Sequence, residues 1–355
     1  MKEIALIYIF LFSSFSFGEG INSNSLFRIK GNNVRLREKP DISSKIIKNL
    51  EKGTFLEIVY PPKFTNQTLK INEINVNGNW VYVKISNNLY GYVFSEYIGF
   101  DIKSKVLPGF IIKTINSNLF ELIGLSQNNL IEYSTSYSDE AKLRIDKIPN
   151  SKINLVEFNG KRVNELNSIY INKNDDSCDY MITCFSGNLT SKQKTKYTLG
   201  FSDSNILIFN PVIINYKINI ELKNKIVKYS NEQLKTINLK EDGNNWIHYE
   251  FMTTIGKKKY IISEYNSSIP RLNQSDIHIF RVDLIEGENI NNLVFYNVKG
   301  TQRETFKTIA ITDINGDNFP EIWLEVEGYE WWYYSTFVII DKLILPVYQG
   351  GGGGV

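Results

Sequence analysis

At 355 residues the chain has room for two or three domains, and a hydrophobic content of 42% lets it bury sizeable cores rather than stay disordered. Aromatic residues make up 13%, while the best helix former occurs only at Ala5, Ala141 and Ala310, which excludes a mainly helical protein and points to an all-β one. With 40 basic and 38 acidic residues the formal charge is +2, too balanced for a nucleic-acid binder that must neutralise many phosphates.

Residues 1–18 read as a secretory signal: Lys2 supplies the positive start, residues 4–12 form a short apolar run, and Ser16 and Gly18 are the small residues of a cleavage site. A run this short cannot cross ~30 Å of hydrocarbon as a helix. No Cys follows it to carry a lipid. The expected product is exported to the periplasm or beyond, with no membrane anchor after cleavage.

Residues 27–100 read as a small β-barrel. Asn33-Val34-Arg35-Leu36-Arg37 alternates, Pro40 and Lys52-Gly53 mark turns, and strands are expected at 55–60, 80–84 and 90–93. Residues 61–79 are read as a polar excursion between strands. Asn-Val-Arg-x-Arg, Pro40, Ser43-Ser44, Lys52-Gly53, Trp80-Val81-Tyr82-Val83 and Gly91-Tyr92-Val93-x-x-x-Tyr97-Ile98 come in an order that resembles the bacterial SH3 (SH3b) domain. Two departures stand out. Glu38-Lys39-Pro40 replaces a common Ser-Gly-Pro, and the 61–79 insertion lengthens a loop beside the usual binding surface. The resemblance implies a non-catalytic module that binds cell-wall peptides or proteins, so peptidoglycan or an envelope protein is the expected partner. Trp80, Tyr82 and Tyr92 are expected to tie the module together.

Strand-like segments recur every eight to twelve residues through 101–245, at 110–115, 119–123, 130–133, 153–158, 168–172, 180–185, 196–201, 206–209 and 212–220. That spacing suggests a sandwich or barrel. A further β-region spans 246–348, with a hairpin about Ile255-Gly256-Lys257 and an apolar run at 337–347, and residues 349–355 read as a flexible glycine tail. Cys178 and Cys184 are the only cysteines. An even count in an exported chain favours a disulfide closing a small loop, with two free thiols, a metal pair or a catalytic thiol as the alternatives.

Asp313-Ile314-Asn315-Gly316-Asp317-Asn318-Phe319-Pro320-Glu321 places oxygen side chains at positions one, three, five and nine about a glycine turn, which suits a hard cation. It resembles the calcium turn of FG-GAP and VCBS-type repeats. That resemblance implies Asp313, Asn315, Asp317 and Glu321 as side-chain ligands and the Phe319 carbonyl as a fifth, holding a structural calcium. A polar hairpin turn without metal is the alternative.

Tyr329-Glu330-Trp331-Trp332-Tyr333-Tyr334 offers a stacking surface, but on a strand about half of it would face the core. For an enzyme, Cys184, His248 and His278 follow the order of a cell-wall peptidase only crudely. The thiol lacks a directly following Ser-Gly and a helix to lower its pKa. The expectation is a non-enzymatic envelope binder, and the alternative is a cell-wall hydrolase with a site not evident in the sequence.

Overall fold

The computed structural model describes residues 27–59, 63–71, 74–85, 89–100, 109–127, 130–133, 152–158, 162–170, 184–192, 195–201, 212–235, 239, 245–253, 257–267, 277–299, 304–313, 319–328 and 331–354. Four antiparallel sheets and one α-helix make up this part of the chain, as the composition implies. The signal lies outside it. No helix among the described residues is long and apolar enough to cross a membrane.

Sheet A holds β1 (Phe27–Ile29), β2 (Val34–Arg37), β3 (Ile46–Leu50), β4 (Phe55–Ile58), β5 (Phe64–Ile71), β6 (Ile74–Ile85), β7 (Leu89–Phe94) and β8 (Ile98–Phe100). Their order is β3-β2-β7-β6-β4-β1-β8, with β5 paired to β6. Period-two alternation aims Val81, Val83 and Ile85 of β6 at a core shared with Phe27, Leu36, Leu56 and Val93. Asn33 and Gly53 take positive φ in the tight turns that bring the strands together.

The 61–79 segment differs from the loop expected. β5 and the first two thirds of β6 form a hairpin in register from Phe64↔Val81 to Ile71↔Ile74. Its strand character is hidden because most of the ribbon meets solvent. Leu69 and Val76 pack against Trp80 and Phe94, whereas Thr65, Asn66, Thr68 and Lys70 are exposed, so no long apolar alternation marks the strands.

Sheet B comprises β9 (Gly109–Thr114), β10 (Leu119–Gln127), β11 (Leu130–Tyr133), β12 (Lys152–Val156), β13 (Arg162–Tyr170), β14 (Cys184–Leu189) and β15 (Tyr197–Phe201). β9 pairs with both β10 and β15, so six strands close into a barrel and β11 hangs from β10. Ile112, Phe120, Leu122, Leu155, Leu166 and Phe185 fill its interior. The strand expected at 206–209 lies outside the described residues.

Sheet C is a meander of β16 (Ile214–Asn215), β17 (Trp246–Met252), β18 (Lys259–Asn266), β19 (Ile277–Glu286) and β20 (Asn289–Lys299). The strand read over 212–220 shrinks to β16, and helix α1 (Ile220–Leu234) follows it. The Asn219 side chain accepts the Glu221 N–H at 2.8 Å and caps α1, whose Ile226, Val227, Ser230 and Leu234 are buried. Both elements precede residue 246 yet serve the sheet that follows it.

Sheet D is the meander β21 (Thr305–Thr312), β22 (Glu321–Glu327), β23 (Trp331–Ile340) and β24 (Leu343–Gly354). The single apolar run at 337–347 is split by a turn at Asp341, where φ is 56°. The glycine tail is no loose end here: Gly350, Gly353 and Gly354 lie in register with Tyr334, Trp332 and Trp331. Glycine still brings a full set of backbone donors and acceptors, and β23 offers an edge that needs them.

Sheet D is the middle layer. Ile322, Leu324, Phe337 and Ile339 pack on Phe251, Tyr260, Phe280 and Val282 of sheet C. Trp323, Val338, Leu345 and Val347 on its other face join Ile111, Ile123, Val156 and Leu199 of the barrel in a cluster continuous with the sheet A core. Helix α1 covers the far face of sheet C through Ile226, Val227 and Leu234.

Candidate binding site

β6 and β7 carry their outward side chains as three rungs, Trp80 with Phe94, Tyr82 with Tyr92 and Lys84 with Tyr90. The first rung is packed. Trp80 is buried, meets the Phe94 ring edge-on at 5.4 Å, and donates from Nε1 to Gln67 Oε1 at 2.5 Å. Phe94 lies on Gly78, where a Cβ would come within 2.6 Å of the ring. The hairpin thus covers this rung.

The other rungs stay open. Tyr82 and Tyr92 are half-buried with ring centroids 5.0 Å apart, and Tyr90, 6.0 Å from Tyr82, is exposed. Lys63 places its ammonium 5.5 Å from the Tyr82 ring centre. Gly91 between the tyrosines has no side-chain alternative, because a Cβ would sit 2.7 Å from Leu36 Cγ and 2.8 Å from the Arg37 carbonyl oxygen. The result is a strip of three rings with hydroxyl rims and a cation beside the central one, chemistry that suits stacking and hydrogen bonding. Trp80 therefore ties the module together as expected. Tyr92 packs in part against that Trp80–Phe94 cluster, while its ring and that of Tyr82 stay half-buried at the surface. Tyr90 and Lys63 escaped the sequence reading, although the alternation of Leu89-Tyr90-Gly91-Tyr92 already puts both tyrosines on one face.

Of the calcium-turn residues, Asn315 and Asp317 lie outside the described residues. Asp313 and Glu321 are buried at the two ends of the β21–β22 hairpin, and the Phe319 side chain is buried too. Glu321 Oε2 accepts from the Thr312 hydroxyl at 2.8 Å, and the Thr312 hydroxyl oxygen in turn accepts from Trp323 Nε1 at 2.9 Å. Among the described residues no group of three or more His, Cys, Asp or Glu is placed to hold a metal.

The aromatic run at 329–334 divides as alternation requires. Trp331 is exposed, Tyr334 is buried, and Tyr329 lies outside the described residues. Tyr334 and Trp332 face the barrel within a polar cluster. Lys113 Nζ lies 3.3 Å from Glu121, 3.1 Å from Glu325 and 2.8 Å from the Tyr334 hydroxyl, and Lys196 is 3.6 Å from Glu325. Burial alone would push the Glu325 carboxyl up, but the Tyr197 hydroxyl and the two ammonium groups outweigh it and hold it below its ordinary range. The same burial and the two carboxylates push the Tyr334 hydroxyl strongly up, so it stays a neutral donor.

The peptidase-like residues are apart. Cys184 opens β14 opposite Glu121 in the barrel, and Cys178 lies outside the described residues. His248 and His278 are buried in sheet C, with Nδ1 atoms 2.8 Å from Ser263 Oγ and 3.1 Å from Asn266 Oδ1.

No curated protein and no solved structure matches the chain. One family model does, the bacterial SH3 domain, over residues 32–99, which span β2 to the middle of β8 and carry the tyrosine strip. Residues 32–99 of this chain therefore form a bacterial SH3 domain.

Proposed function

We propose that the protein is a non-enzymatic binder at the cell envelope, exported after cleavage at residue 18, and that its SH3 domain holds a cell-wall peptide or an envelope protein on the Tyr82–Tyr90–Tyr92 strip. The observation that carries this reading is the pairing of the family match with three outward rings on one ladder. Rings of this kind supply contact area at low cost in side-chain entropy. Retention of the mature chain on purified peptidoglycan sacculi is the test. Wild type should be retained, and Tyr90→Ala with Tyr82→Ala should lower retention at least tenfold. A double variant that binds as well as wild type sinks the strip. The exported, unreduced protein should also show the Cys178–Cys184 disulfide by mass spectrometry.

A structural calcium ion in the 313–321 turn belongs to the same proposal. Its support is local: strands flank the turn, and the Thr312↔Glu321 pair sets Asp313 and Glu321 at its two ends. Carboxylates gathered in one turn repel unless a cation is present. An ion bound only by the folded form stabilises by about 2.7 kcal/mol at a hundred times Kd. Calcium should raise Tm and EGTA lower it in wild type and not in Asp317→Ala; equal melting in all conditions leaves a plain turn.

A further inference from the structure

A cleft of about 660 Å3 opens between the β5–β6 hairpin of the SH3 domain and the margin where β20 meets β23 and β24. A second cavity of about 410 Å3 adjoins it, sharing Tyr296, Phe337 and Pro346. Each lies in the size range of small-ligand pockets, roughly 300–1,000 Å3.

The lining is rich in amides, and Glu304 is the one charged residue of the smaller cavity. Asn66, Thr68 and Asn79 face it from the hairpin and Asn292 from β20. Lys342 is the one charged residue in the larger chamber, and its ammonium lies 3.0 Å from Glu286. Asn79 Oδ1 is buried and finds no donor among the described residues, an arrangement that costs stability unless a partner supplies one. Tyr296 is 48% exposed where the cavities meet, its ring backed by Phe306 at 6.5 Å and Phe337 at 6.2 Å.

Strand addition to β20 would be the simplest way for a peptide to enter. That edge is closed. Leu293 is bulged out of register between Asn292 and Val294, and Asn292 Nδ2 donates to the Val294 carbonyl at 2.8 Å. Recognition must then run through side chains: amides for a ligand dense in hydroxyl or acetamido groups, and one backed aromatic face for a flat apolar ring surface.

We propose that this cleft binds a neutral oligosaccharide, with a pyranose face on Tyr296 and sugar hydroxyl or acetamido donors toward Asn79 and Asn66. The site is separate from the tyrosine strip and goes beyond the binding reading above. Calorimetric titration of the full mature chain tests it, using tetra-N-acetylchitotetraose, cellotetraose and an uncharged hexapeptide as probes. At least one sugar should bind, and Tyr296→Ala and Thr68→Trp, both at exposed positions, should weaken it tenfold or more with unchanged circular dichroism. Tyr90→Ala should leave sugar binding intact. Failure of both sugars to bind, binding indifferent to both cleft variants, or tighter binding of the hexapeptide overturns the proposal. Sacculus retention is scored separately: its loss in Tyr82→Ala/Tyr90→Ala with sugar binding kept leaves this proposal standing, and retention without sugar binding leaves only the earlier reading.

Discussion

Trp80 points away from the core that Val81 and Val83 enter, yet it is 3% exposed because the β5–β6 hairpin folds over it and Gln67 takes its indole N–H. Trp80→Ala should cost about 3–5 kcal/mol, read as a lower denaturation midpoint of the full chain. The alternation of Trp80-Val81-Tyr82-Val83 was legible, but whether a hairpin covers the outward side was not, since period two separates faces without saying what lies on them. Glu264 shows the same limit. It reads as an ordinary polar position, but burial between sheets C and D pushes its carboxyl up to about 7, with the Thr308 N–H at 2.6 Å and Lys307 opposing the shift. The raised value means the folded state holds the proton more tightly than the unfolded chain. Its contribution is therefore fully present below pH ~4.5 and fades as pH rises through about 7. Glu264→Gln should flatten the loss of stability between those limits, seen in Tm measured across pH 4.5–8.

At the scale of elements, α1 is held to sheet C by more than its apolar face. Arg281 on β19 is buried, forms a two-point pair with Asp283 at 2.6 and 2.7 Å, and reaches across to Ser230 Oγ at 2.6 Å and the Ile226 carbonyl at 3.2 Å. Asp283→Ala would leave a buried guanidinium without its counter-charge, at a cost of about 3–5 kcal/mol. Faster hydrogen exchange in α1 should accompany that loss, and Arg281→Met with Asp283→Leu should recover much of it. The helix went unread because Ile226, Ser230 and Leu234 share one face only at four-residue spacing, among β-branched, Ser and Asn residues with little helix preference. The β17–β19 meander was legible, because β17 alternates between buried and exposed positions while β18 and β19, buried on both faces, are rich in β-branched and aromatic residues. Likewise the glycine tail carries no pattern of its own, so its place beside β23 depends on the partner strand.

Across the whole molecule, the barrel and sheet D meet around Lys113, Lys196, Glu121 and Glu325, two cations and two carboxylates from four strands or their margins. Lys113→Met would leave buried Glu121 without its ammonium and Glu325 with Lys196 alone, a loss of about 3–5 kcal/mol. Scanning calorimetry should then show the single transition broaden or split as the barrel parts from sheet D; an unchanged profile would place the coupling in the apolar contacts alone. By itself the sequence determined the all-β class, the SH3 module and most of the strands in the two later regions. Those features rest on local propensity, period-two alternation and ordered landmarks, all carried by neighbours in the chain. Only the tertiary structure decided that six strands close into a barrel and that sheet D is the central layer. It alone set Tyr82, Tyr90 and Tyr92 on an open face and brought Asn79 and Tyr296 to one cleft. The physical reason is sequence separation: each depends on pairing and packing between segments far apart along the chain, where a residue's own pattern says which side it shows but not what meets it.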